Sequence, residues 1–220
     1  MNALQSREPA GIAAAAALCE CIRLLASRNT NPVLELLESA GHFVEHQKLP
    51  AEMLRFGGND WRAYYHCHGA SHRTANEHGH FHIFARVPQA LPDTLENWAH
   101  VISLAMDVEG QPVRWFAVNR WVTDSVWLEA DRLAALLDRL QPVPGFGLVE
   151  RWLVAMLETY HDEIVSLLRS RDRRVQALAA AGGRVDVLED RRFACLAEQP
   201  VDLLTGLQQV FAGKAAPAVS

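Results

Sequence analysis

The sequence predicts an α+β protein, because helical periodicity at both ends of the chain encloses a central stretch of period-two alternation. Apolar residues recur at helical spacing before Pro50 and again after Leu128, while the aromatic-rich segment between them is cut by Gly, Asn and Pro turn signals. The expected architecture is a small antiparallel sheet of about four meander strands flanked by N-terminal and C-terminal helices. It is read as one domain over 1–220, with helices in 1–50, the sheet in 61–122 and helices in 128–212.

The elements follow in order. Ile12, Ala15, Leu18, Cys19, Ile22 and Leu25 repeat as one helix face, and Val33, Leu37, Ala40 and Val44 repeat as another after the punctuation of Asn29 to Pro32. Pro50 and the turn Gly57-Gly58-Asn59-Asp60 end that pattern, and Trp61 to His68 reads as a first strand. A polar loop leads to a second strand, His78 to Val87, and Glu109-Gly110-Gln111-Pro112 joins two more, near His100 to Val108 and Val113 to Val122. Helical spacing returns over Leu128 to Leu140. After the Pro/Gly break at Pro142 to Gly147 it resumes from Leu148 to about Ala180, where Gly182-Gly183 stops it. A short helix is expected over Val201 to Phe211, with an Ala/Pro-rich tail after Gly213.

Composition narrows the function classes. Half of the residues are hydrophobic and 21% are charged, the balance of an ordinary soluble globular protein. The net charge is −5 and the arginines are dispersed or sit beside acids, so no basic stripe is available to nucleic acid. Cys19, Cys21, Cys67 and Cys195 show no CxxC spacing and are expected as reduced thiols in the cytoplasm. The apolar run Gly11 to Leu18 is closely flanked by Arg7, Glu8, Glu20 and Arg23, which argues against a signal peptide or membrane span. Exposed edge strands leave room for a homo-oligomer.

One segment stands apart. Tyr64 to Phe84 carries six of the ten histidines, namely His66, His68, His72, His78, His80 and His82. Side chains alternate across a strand, so Arg62, Tyr64, His66 and His68 share a face, as do His78, His80, His82, Phe84 and Arg86. A loop centred near Arg73 pairs residues whose numbers sum to about 146: His68 with His78, His66 with His80, and Tyr64 with His82. All the strand histidines then lie on one side of the hairpin, and Trp61, Ala63, Tyr65, Cys67, Phe81, Ile83 and Ala85 lie on the other, against the helices.

Imidazoles so placed can converge on one ion at about 2.0–2.1 Å per nitrogen. The candidate ligands are His66, His68, His78, His80 and His82, and the expected ion is a divalent transition metal, zinc or iron first. Glu77 could be a ligand, an orienting partner or a general base acting through bound water. Arg62, Tyr64 and Arg86 are candidates to hold a small, anionic substrate. The bland alternative is a polar sheet face whose histidines hydrogen-bond to one another and to water.

Two other motifs compete. His78-Gly-His80-Phe-His82-Ile-Phe resembles the signature of the histidine triad nucleotide hydrolases and transferases, a resemblance that implies His80 as nucleophile. Gly79 in the first hydrophobic slot and the missing Gly-Gln-Ser/Thr segment depart from that family's pattern. His42-Phe-Val-Glu45-His46 matches the HxxEH zinc pattern of inverted zincin peptidases, although no glutamate stands at the expected downstream distance and a polar helix face accounts for it. The combination Tyr-Tyr-His-x-His with Glu-His-Gly-His-Phe-His is similar to the hallmark of an uncharacterised bacterial domain-of-unknown-function family, which brings no assigned activity. The leading expectation is therefore a metalloenzyme activating water or oxygen. The other two are the triad-like hydrolase and a non-enzymatic metal or ligand-binding module.

Overall fold

The structure, a computed structural model, describes residues 3–40, 47–67, 76–88, 97–142, 145–182 and 186–213. Two helices open the chain, α1 (Ala3–Ser27) and α2 (Pro32–Ala40). The sheet strands are β1 (Leu49–Phe56), β2 (Trp61–His66), β3 (Gly79–Arg86), β4 (Trp98–Met106) and β5 (Pro112–Val118). After them come α3 (Arg120–Thr123), α4 (Ala130–Leu137), α5 (Leu148–Thr159) and α6 (His161–Ala180), then β6 (Cys195–Pro200) and α7 (Leu203–Phe211).

The α+β class holds, but the sheet has six antiparallel strands in the order β1-β2-β3-β4-β5-β6, not four. Both additions are edge strands whose patterns are weak. Pro50 near the start of β1 is tolerated at an edge, where no neighbour asks for its missing N–H. The β1–β2 register is interrupted between Leu49 and Leu54, with Met53 at φ 61°, which breaks the alternation that would mark a strand. In β6 only Leu196 is buried, so its sequence reads as a loop.

Two boundaries also moved. The strand expected to reach Val122 ends at Val118, because Asn119 caps α3 by accepting from Arg120 N and donates to the carbonyls of Val187 and Phe193. The long C-terminal helix is two, broken at Tyr160, whose ψ of 22° leaves the helical region. On α1 the buried stripe is Ala14, Ala15, Leu18, Cys21 and Leu25, with Cys19 and Ile12 turned outward. By length and composition Ala10–Ser27 could cross a membrane, yet Leu18, Cys21 and Leu25 enter the common core.

That core lies on one face of the sheet. Ala63, Tyr65, Phe81, Ile83, Ile102, Leu104, Met106 and Trp115 project into it and meet apolar residues of α1, α2, α4, α5 and α6, as where Phe81 packs on Trp152 with ring centroids 6.0 Å apart. The opposite face carries two small apolar clusters, Tyr64–Phe84–Trp98 and Ala105–Phe116–Val118, with a polar group between them.

Candidate metal centre

That polar group is made by the hairpin the sequence singles out. β2 and β3 pair with Tyr64 opposite His82 and His66 opposite His80, the register expected from the 146 sum. The pairing continues outward in rows: His66, His80, Ala105 and Arg114 form one across β2 to β5, and Tyr64, His82, Ser103 and Phe116 form the next. Side chains of one row and its neighbour share a face of the sheet.

Three imidazoles converge there. His80 Nε2 lies 2.8 Å from His66 Nε2 and 3.2 Å from His82 Nε2, and ligating nitrogens of all three fall within 4.8 Å of one another. Nitrogens bound to one ion at the usual Zn–N length are separated by about 2.9 Å at right angles and about 3.4 Å in a tetrahedron. The two separations from His80 match that of a coordination polyhedron. His80 is 6% exposed and His82 2%, while His66 is half-buried.

Each of the two buried rings is held from behind. Glu77 Oε1 sits 2.6 Å from His80 Nδ1, and the other carboxylate oxygen accepts from Arg114 at 2.6 Å. Arg114 also donates to Glu198 at 2.7 Å and lies over the Phe116 ring. Nδ1–H of His80 therefore donates to Glu77, and its Nε2 lone pair faces the cluster. Both Glu77 oxygens are engaged away from that point, so of its three expected roles the geometry matches the orienting partner.

His82 is held by residues that sequence reasoning missed. Its Nδ1 lies 2.9 Å from Ser103 Oγ and 3.1 Å from His100 Nε2, and those two atoms are 3.0 Å apart. His100 and Ser103 are three positions apart on β4, a spacing that strict alternation sends to opposite faces. A bulge between Ile83 and Phe84 of β3 leaves Val101 as an extra residue on β4, since Ile83 pairs with Ile102 and Phe84 with His100. Both Val101 and Ile102 enter the core, and His100 turns to the histidine face. Burial, then the charges of Arg171 and His80, push the His100 imidazolium down to about 3, so the ring is neutral at physiological pH. Burial also raises the Tyr64 phenol to about 12.

The remaining candidates fall elsewhere. His78 precedes β3 and does not share the face of His80: its Nδ1 is 2.7 Å from Tyr65 Oη, and the two rings stack at 6.1 Å. Strand alternation begins only at Gly79, which is why parity misplaced it. At Gly79 a Cβ would come within 2.5 Å of the His66 carbonyl oxygen and 2.6 Å of Tyr65 Oη, so no side chain fits the slot. Tyr64 lies between His66 and His82, with ring centroids 5.5 and 5.2 Å away, and Lys48 Nζ stands 4.6 Å from its own centroid. Arg62 and Arg86 lie against Trp98, at 4.0 and 5.2 Å from a ring centroid, in rows beyond Tyr64 rather than over the histidines. His68, His72 and the His42–His46 motif lie outside the described residues. His161 of α6 pairs with Asp138 and Asp162.

A family model described as Domain of unknown function (DUF6969) matches residues 12–201, nearly the whole described chain. The chain belongs to this DUF6969 family. The match spans every strand and all three converging histidines, so the cluster is part of the family domain. It is not a match to a histidine-triad family, and His80 Nε2 faces two other imidazoles, an arrangement unlike a nucleophile presented to a phosphate. No curated protein and no solved structure matches the chain.

Proposed function

We propose that this DUF6969 protein binds one divalent transition metal through Nε2 of His66, His80 and His82 and uses it to activate water against a small, anionic substrate. One observation carries the reading: the two buried rings each engage Nδ1 in a supporting hydrogen bond and turn Nε2 to a common point. Hydrogen-bonded Nδ1 and convergent Nε2 is how ligating histidines are oriented in metal sites. Three imidazoles without a carboxylate favour zinc over iron, since non-haem iron sites of the oxygenase kind pair two histidines with a carboxylate. Three protein ligands leave a further coordination position for water, whose pKa the ion would lower towards neutrality. Lys48, Arg62 and Arg86 bring positive charge to the same side of the sheet, which supports an anionic substrate.

The test is elemental analysis of tag-free protein purified without chelator, for the parent and for His66→Ala and His80→Ala. Near-stoichiometric zinc in the parent, lost in variants that keep the parent's circular dichroism, is the expected result. No metal in the parent, even after reconstitution, would sink the proposal. Cobalt substitution then separates an enzyme from a storage module. An exchangeable water reveals itself when added azide shifts the visible spectrum; a four-ligand spectrum indifferent to azide would overturn the catalytic half.

A further inference from the structure

We infer that Ser103 and His100 form a hydrogen-bond relay that sets the tautomer of His82, presenting its Nε2 lone pair, and not an N–H, to the metal. This rests on the metal reading above and adds two positioning residues to it.

Three buried atoms close a triangle whose protons can be counted. Its corners are His82 Nδ1, Ser103 Oγ and His100 Nε2, and its edges are 2.9, 3.0 and 3.1 Å. Ser103 is 0% exposed, so bulk water does not reach its hydroxyl. A hydroxyl has one proton to give, and each neutral imidazole nitrogen either donates or accepts. Only two directions leave every corner satisfied. In one, His82 Nδ1–H donates to Ser103 Oγ, whose hydroxyl donates to His100 Nε2. In the other, His100 Nε2–H donates to Ser103, whose hydroxyl donates to His82 Nδ1.

These directions are opposite for the metal. The first leaves the proton of His82 on Nδ1 and its Nε2 free to ligate; the second puts the proton on Nε2, in the position of the ion. Zinc therefore selects the first, with every ring neutral in both and no proton gained or lost. In the first direction the His100 proton resides on Nδ1, pointing away from the triangle. The bulge at Val101 is what makes the triangle possible, because without it His100 would point into the core.

The experiment uses the full chain, zinc(II) as probe, and two readouts: affinity by competition with a chromophoric chelator, and the His82 tautomer by long-range ¹H–¹⁵N spectra of histidine-labelled protein. In the zinc-loaded parent His82 should be protonated at Nδ1. Ser103→Ala and His100→Phe should each weaken zinc binding by about tenfold, and the double variant by up to about a hundredfold, the range seen when outer partners of metal ligands are removed. Ser103→Thr, which keeps the hydroxyl, should restore the parent's tautomer spectrum. Variants that bind zinc within twofold of the parent with an unchanged His82 signature would overturn the relay alone. A parent that takes up no zinc would overturn the relay and the metal reading together.

Discussion

Replacing Glu77 by glutamine tests the site's wiring most directly, because it alters one atom and leaves shape almost unchanged. One carboxylate oxygen of Glu77 accepts from His80 Nδ1 at 2.6 Å and the other from Arg114 at 2.6 Å, and the side chain is 6% exposed. A carboxylate can accept from both; an amide cannot. If the introduced amide keeps its oxygen on Arg114, its NH₂ faces His80 Nδ1, which must then accept, and the ring proton moves to Nε2 where the metal belongs. If it turns the other way, NH₂ meets the guanidinium and leaves buried donors unpaired, at about 1–3 kcal/mol. The first arrangement opposes metal binding; the second keeps the ligating tautomer, so metal binds only at the expense of those unpaired donors. Loss of an orienting partner typically lowers affinity about 10–100-fold, which corresponds to about 1.4–2.7 kcal/mol. Glu77→Ala, which removes the acceptor without imposing a donor, should lose less. Zinc affinity by chelator competition, with circular dichroism as the folding control, reads the effect. A folded Glu77→Gln protein that binds zinc within threefold of the parent would refute the assigned tautomer.

Three further outcomes are expected. Gly79→Ala should destabilise the fold by about 1–3 kcal/mol in urea titration, since its Cβ would meet the His66 carbonyl oxygen at 2.5 Å; an unchanged midpoint would contradict that packing. His78→Ala should leave zinc stoichiometry intact and cost about 1 kcal/mol of stability, because its ring serves Tyr65 at 2.7 Å and not the cluster; loss of zinc would return His78 to the ligand set. Burial raises the Glu158 carboxyl, so the folded state is penalised for ionising it as pH rises through its folded pKa, whereas below the unfolded value of 4.5 both states are neutral. Glu158→Gln should thus be more stable than the parent near pH 7, by no more than about 0.5 kcal/mol at this half-buried position, and equal to it near pH 4. Melting temperatures that differ equally at both pH values would exclude the ionisation as cause.

How much of this could be read beforehand varied with the signal. The β2–β3 register followed from parity and loop length, because an antiparallel pair with one apolar face tolerates no one-residue slip. The edge strands did not, since β1 is interrupted at Met53 and β6 buries only Leu196. The His78 position failed for the same kind of reason: alternation is a property of extended backbone, and that backbone begins at Gly79.

The amino-acid sequence by itself determined the α+β class, the hairpin and the pairing of His66 with His80, all consequences of local periodicity. Glu77 was legible as an orienting partner, but tertiary structure alone decided what holds Glu77 and what stands behind His82. Glu77, just before β3, meets Arg114 of β5 across 37 positions, and His82 meets Ser103 of the neighbouring strand across 21. His100 joins them only because one residue bulges from β4 and reverses the face of everything before it, a change that no periodicity in the sequence records.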